Sequence, residues 1–416
     1  MKQNRILAFV MAGGAGNRLQ PLTADRCKPA VPFGSRYRII DFVLSNLINS
    51  GIYTNYLLVQ YKSQSLIEHI RKAWAISPLL PSQFVAVVPP QGEHWFNGTA
   101  DAVWQNLALL EKHRPDMVAV FGADHVYRMD ISQMVDFHRE HQAHASISAL
   151  PVPLAQASAF GIIDADKDGR IRAFQEKPAN PAPMPGQPSH AYASMGNYLF
   201  NTDVLIEALR DAHARGETDF GHHILPRLRQ THRVYAYNFA DNKVPGVRSY
   251  EEPAYWRDVG TVDAYYDANR NVLGAEPRFD VFNPQWPIYS SNYQGPVARI
   301  LGGEIVNSLL GAGTLVHEGA RIHNTILRRE AVVEPGAVVE DCIIMDYVRI
   351  SRGAHLRRAI IDRHNIIAAG ERIGLDHAAD QTRYKVTPGG VVVVPRGPTD
   401  YYARNTRGAG GSGYAE

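Results

Sequence analysis

The chain has 416 residues, 45% of them apolar and 20% charged, and its 43 Lys and Arg nearly balance its 41 Asp and Glu. That balance describes a globular chain long enough for two domains, and it implies no polyanion or membrane-surface partner. Two cysteines, Cys27 and Cys342, make no disulfide framework and fit a reducing cytoplasm, and no apolar run reaches membrane-spanning length.

Lys2 and Arg5 ahead of an apolar run mimic a signal peptide, but the run Ile6 to Ala12 is short and ends on Gly13-Gly14. An unbroken apolar run of this length suits a parallel strand covered on both faces. The loop behind it, Gly13 to Leu19, carries glycines at 13, 14 and 16. Such a loop lets backbone N–H groups approach an anion, although glycine content alone equally fits a tight turn. It has neither the Walker spacing nor the dinucleotide GxGxxG. Ile40, Val43, Leu44, Leu47 and Ile48 then follow helical spacing, with Gly51 at the C-cap position. Residues 56–60 and 84–88 read as strands, 66–76 as a helix, and Thr99 as the N-cap of a helix to about Glu111. Met117 to Ala123 is a buried strand with Asp124 at its carboxyl end, where open α/β sheets bind ligands. Strand and helix alternate, as in a doubly wound, Rossmann-like sheet.

From Ser146 to Phe200 the pattern becomes β-rich, and helices are expected from Thr202 and from Thr261. His138, His141 and His144 splay around a helix at their spacing and read as a polar face rather than a metal site. A first domain over 1–275 is followed by an irregular, proline-bearing linker over 276–308. Over 309–395, Ile326, Val332, Val338, Ile344, Ile350 and Leu356 recur every six residues. Ile360 and Ile366 resume that spacing after one slip. A six-residue period predicts a left-handed parallel β-helix. The glycine-rich end, 396–416, reads as a mobile tail.

Seven motifs stand in order: GGAGNRL with Lys28-Pro29, RIIDFVLSN (38–46), GTADAV (98–103), GADHVYRMD (122–130), EKP (176–178), ASMGNY (193–198) and YWRDVGT (255–261). Together they resemble the sugar-nucleotide pyrophosphorylases, most closely the branch that joins ATP to glucose 1-phosphate, over about Ile6 to Arg383. The resemblance implies Asp124 and Asp258 as carboxylates for Mg²⁺, a hard ion that prefers oxygen ligands. It implies ATP at Gly13, Gly14, Gly16 and Gly98, with Arg18 and Lys28 on the departing phosphates and Gln91 reading adenine. It puts the phosphate of glucose 1-phosphate on Lys177, aimed by Pro178, and the sugar against Phe96, Gly161, Glu176 and Ser194. Three positions depart from the pattern: Phe96 replaces a tyrosine, the segment from Gln91 to Trp95 is short, and His223 stands where an aspartate is usual.

The same resemblance implies a homotetramer assembled through the β-helix and control by sugar-phosphate effectors bound between the two domains. Arg26, Arg36 and Arg38 would meet Arg383 in such a site, since arginine forks suit phosphate. Asp25 occupies a position where bisphosphate-activated relatives carry a lysine, which implies a preference for a monophosphate. The rival readings are a thymidylyl- or uridylyltransferase, and a non-catalytic regulatory subunit. Against the subunit stand Arg18, Lys28, Asp124, Lys177 and Asp258, all present.

Overall fold

The computed structural model describes residues 5–76, 82–92 and 94–398, so most of the stretch read as a mobile tail lies outside the described residues. At the centre of a nine-stranded sheet, Ile6–Ala12 pairs in parallel with Thr54–Val59 on one side and Met117–Gly122 on the other. Phe84–Val88 extends the parallel part. Beyond Met117–Gly122 the sheet turns antiparallel through the long strand His190–Asn201, which pairs with Ala145–Pro153 and Gly161–Ala165, and Ile171–Glu176 pairs with the latter. The unbroken apolar run of the first strand follows from burial on both sides. Leu7 and Phe9 enter one core with Leu58 and Val120, while Ala8 and Val10 enter another with Val59 and Phe121.

Local chemistry moves some boundaries. The expected helix from Thr99 is two pieces, Thr99–Trp104 and Leu107–His113. At the break the Asn106 side chain donates to the Ala102 carbonyl (2.8 Å), offering the backbone an alternative partner. Gly98 is the N-cap, and the Thr99 hydroxyl is donated instead to Asp219 (3.0 Å). The three histidines diverge. His138 is buried against Ser146 and Asn201, His141 bonds the Phe137 carbonyl, and His144 accepts from Arg233 N–H. A solvated polar face therefore misdescribes His138.

The C-terminal region is the expected β-helix, with three parallel sheets stacked coil on coil. Leu315 pairs with Val332, Val332 with Arg349, and Arg349 with Ile366, so one coil takes 17 residues rather than 18. The inward series is Leu327, Val333, Val339, Ile344, Ile350, Leu356, Ile361, Ile367, and every third side is one residue short. The strict six-residue reading thus ran through outward Ile326, Val332 and Val338 before joining the core at Ile344. Of these three only Ile326 belongs to the sheet that is apolar on both faces, while Val332 and Val338 lie in the other two sheets. Outward Ile326, Ile343, Ile360 and Val393 pack with Phe42, Tyr265, Tyr266 and Phe279 of the N-terminal region. Arg299–Ile300 and Glu304–Val306, inside the stretch read as linker, already pair with the coil above them.

Candidate active site

A cavity of about 670 Å³ opens at the carboxyl ends of Ile6–Ala12 and Met117–Gly122, the place where open α/β sheets bind ligands. Its floor is the loop Gly13 to Arg18. Gly16 has φ +64°, and a Cβ there would lie 3.2 Å from both Lys28 Cβ and Thr23 Cγ2. Only glycine lets the loop lie this close over Lys28. Gly98, on the far wall, approaches Thr218 so tightly that a Cβ would come within 2.4 Å of its carbonyl oxygen.

A two-stranded antiparallel ribbon supplies the acidic side. His125–Tyr127 pairs with Trp256–Asp258, and His125 faces Asp258 directly in register. Asp124 precedes the ribbon. Donor atoms of Asp124, His125 and Asp258 all lie within 4.8 Å of one another, and they fit a divalent cation. Lys28 Nζ donates to Asp124 Oδ2 and to Asp258 Oδ1, each at 2.9 Å. Desolvation raises the Asp124 carboxyl, but His125 and Lys28 outweigh it and hold it at about 2. Arg18 reaches the same corner, since its Nη2 and Asp258 Oδ1 both lie 3.0 Å from where a Gly260 Cβ would be.

Of the residues assigned to the sugar, Phe96 lines this cavity, whereas Gly161, Glu176, Lys177 and Ser194 are not among its lining. Glu176 Oε2 fills the space a Gly161 Cβ would need (2.8 Å), and Ser194 Oγ accepts from Gly196 N–H (3.3 Å). Lys177 holds a left-handed backbone, φ +47°, tied by its N–H to the Phe160 carbonyl (3.0 Å). Its ammonium lies 3.5 Å from Glu176, and the side chain is 64% exposed. Phe96 is buried and lines the cavity.

Gln91 does not join the site. Its amide folds back on the Pro89 carbonyl (2.8 Å), and it is not among the residues lining the cavity. Gln60 takes the wall there instead, accepting from Phe96 N–H at 2.8 Å. Sequence reasoning missed Gln60, His125 and Asp219. The last lines the cavity and begins a π-turn, Phe220–Ile224, whose His222 N–H it accepts (2.9 Å). His125 at least was visible inside GADHVYRMD. His223 explains itself locally, because its Nδ1 accepts the Asp219 N–H (3.2 Å) and closes the same turn.

The four arginines assigned to an effector do not converge. Arg36 and Arg38 line a second cavity, about 560 Å³, together with Arg328, Arg329 and Arg363. Arg26 is buried and paired with Asp362, and Arg383 is exposed and paired with Glu371. Neither lines that cavity.

The nucleotidyl transferase family pattern matches residues 7–274, and a GlmU-like C-terminal hexapeptide pattern matches 298–394. A glucose-1-phosphate adenylyltransferase of Thermodesulfovibrio yellowstonii is 52% identical, over 94% of this chain and 96% of its own length. One from Thermus thermophilus is 47% identical, over 95% and 99%. One from Corynebacterium jeikeium is 46% identical, over 94% and 98%. The chain belongs to the nucleotidyl transferase family, in the group of glucose-1-phosphate adenylyltransferases.

Proposed function

We propose that the chain transfers the adenylyl group of ATP to α-D-glucose 1-phosphate, releasing pyrophosphate and supplying ADP-glucose for glycogen synthesis in the cytoplasm. The observation that carries this reading is a single cavity lined by a glycine loop, Arg18, Lys28 and Asp124, with Lys28 bonded to both Asp124 and Asp258. In-line attack of a sugar phosphate on the α-phosphorus joins two anions, so catalysis is mostly positioning and charge neutralisation. The loop N–H groups and Arg18 would bind the β- and γ-phosphates that leave, with Lys28 beside them. Lys177 would hold the sugar phosphate while Glu176 accepts from sugar hydroxyls. Mg²⁺ held by Asp124 and Asp258 would supply Lewis-acid polarisation of the phosphates. The test is pyrophosphate release from purified protein given glucose 1-phosphate and each of the four common triphosphates. ATP should lead by a wide margin, and a faster rate with UTP or dTTP would overturn the nucleotide assignment.

Lys177→Ala should raise the KM for glucose 1-phosphate by at least ~10-fold and leave that for ATP nearly unchanged, as loss of binding to one substrate does. An equal rise for both substrates would put Lys177 on the wrong side of the site.

We place the sugar-phosphate effector in the arginine-lined second cavity. Asp25 pairs with Arg396 at 2.9 Å, and that guanidinium lowers its pKa most. The Asp25 carboxylate acts on Arg363, which lines that cavity, and should repel a second phosphate, so fructose 6-phosphate or glucose 6-phosphate should activate more than fructose 1,6-bisphosphate. Arg329→Ala should lower the ratio of activated to basal rate several-fold, the scale of ordinary coupling. Preferential activation by the bisphosphate would reject the role given to Asp25.

A homotetramer is the assembly we expect, since a solenoid with open ends favours burial against a neighbour. A monomeric mass by light scattering at micromolar concentration would reject it. Among the described residues no helix is long and apolar enough to cross a membrane.

A further inference from the structure

Lys28 stands in an unusual place for a residue that is to bind phosphate. Its ammonium contacts one oxygen of Asp124 and one of Asp258, each at 2.9 Å, the same two carboxylates read as cation ligands. Those two groups and His125 bring donor atoms within 4.8 Å of one another. Around a six-coordinate cation with ligands at ~2.1 Å, neighbouring oxygens lie ~3 Å apart and opposite ones ~4.2 Å apart. The space between these donors is therefore close to the size one such ion takes, and the Lys28 ammonium is directed into it. Its side chain is only 9% exposed, whereas Asp124 is 41% and Asp258 33% exposed.

The root of Lys28 is fixed, and only its tip is free to turn. Lys28–Ala30 is a 3₁₀ turn, and Gly16 of the phosphate loop packs over the Lys28 Cβ. A lysine rooted beneath that loop can direct Nζ either at the carboxylates or at an anion lying on the loop. Arg18 Nη2 and Asp258 Oδ1 both lie 3.0 Å from where a Gly260 Cβ would be, so a further positive charge at the carboxylates meets Lys28 in contact and Arg18 nearby.

We infer that Lys28 is a placeholder for the divalent cation. Its ammonium neutralises Asp124 and Asp258 while the loop is empty, then transfers to the polyphosphate when the nucleotide arrives, leaving the carboxylates free to bind the ion. Cation and nucleotide then bind with positive coupling, and the two carboxylates never face each other uncompensated. This deepens the reading of Asp124 and Asp258 as cation ligands and rests on it.

Binding of Mn²⁺ without nucleotide, followed through the electron paramagnetic resonance of the free ion, tests the inference. The proteins compared are the wild type, Lys28→Met, Asp124→Asn and the double variant. Lys28→Met should bind Mn²⁺ at least ~10-fold more tightly than the wild type, within the usual range of coupling between sites, and Asp124→Asn should abolish that gain. Equal affinity of wild type and Lys28→Met, with binding still lost in Asp124→Asn, would overturn the placeholder and leave the cation reading standing. Binding untouched by Asp124→Asn would overturn both. A wild-type crystal grown with Mn²⁺ and a non-hydrolysable ATP analogue decides the matter if Lys28→Met fails to fold. Lys28 Nζ should then contact phosphate oxygens, and Nζ still bridging the two carboxylates would refute the inference.

Discussion

Asp124→Asn is expected to leave the fold in place and to cut turnover by at least ~10²-fold, the scale of one lost electrostatic contact in a transition state. Asparagine keeps the shape but offers a neutral oxygen where an anion is required. The wild-type carboxyl, held at about 2, is ionised throughout the neutral range, so the substitution removes a full charge rather than part of one. Its folded pKa lies below the ordinary value of 3.8, so the stability it adds is present above that value and is lost as pH falls towards 2. The side chain is 41% exposed, and solvent screening makes this contribution small. A thermal melt close to wild type combined with collapsed kcat at saturating Mg²⁺ and ATP is the expected pair of results. Near-normal turnover would remove Asp124 from the chemistry.

What the sequence made legible follows from which constraints are local. The strand Ile6–Ala12 announced itself because burial on both faces forces an unbroken apolar run. The phosphate loop was legible because close backbone approach at Gly16 leaves a glycine in the text. The β-helix was legible in kind but not in register. Ile326, Val332 and Val338 satisfy a six-residue count while pointing outward from three different sheets, and only for Ile326 does packing against the N-terminal region account for the apolar side chain.

The remaining site residues depend on tertiary placement. Asp258 lies far along the chain from Lys28, and only the ribbon of His125–Tyr127 with Trp256–Asp258 brings them together. Resemblance supplied that pair, since spacing could not. Gln91 failed for the reason its short loop suggested, as the side chain satisfies itself on Pro89. The arginines assigned to an effector divide, since Arg36 and Arg38 line one cavity while Arg26 and Arg383 are paired outside it. Arg26, Arg36 and Arg38 are near in sequence, but proximity in sequence does not say which guanidinium already has a buried partner.

That buried partner makes the last prediction. Arg26 and Asp362 join the N-terminal region to the β-helix, with side chains 4% and 3% exposed. Arg26 also donates from Nε to the Leu22 carbonyl (2.8 Å), and Asp362 Oδ1 accepts the Arg363 N–H (2.7 Å). The pair is therefore desolvated and well bonded, and removing one member strands a charge in a place water does not reach. Arg26→Ala or Asp362→Asn is expected to destabilise by roughly 3–5 kcal/mol, against total stabilities of about 5–15 kcal/mol for ordinary domains. At ~2–4 °C per kcal/mol for regions of this size, the first melting transition should fall by roughly 6–20 °C. Replacing both, as Arg26→Met with Asp362→Leu, should recover most of that loss, because an apolar pair of similar volume leaves no charge unpaired. Scanning calorimetry of the three variants separates this account from the effector role the sequence suggested. An Arg26→Ala protein that melts within a degree of wild type but no longer responds to sugar phosphates would mean that Arg26 binds the effector, and that its bond to Asp362 holds little of the interface together.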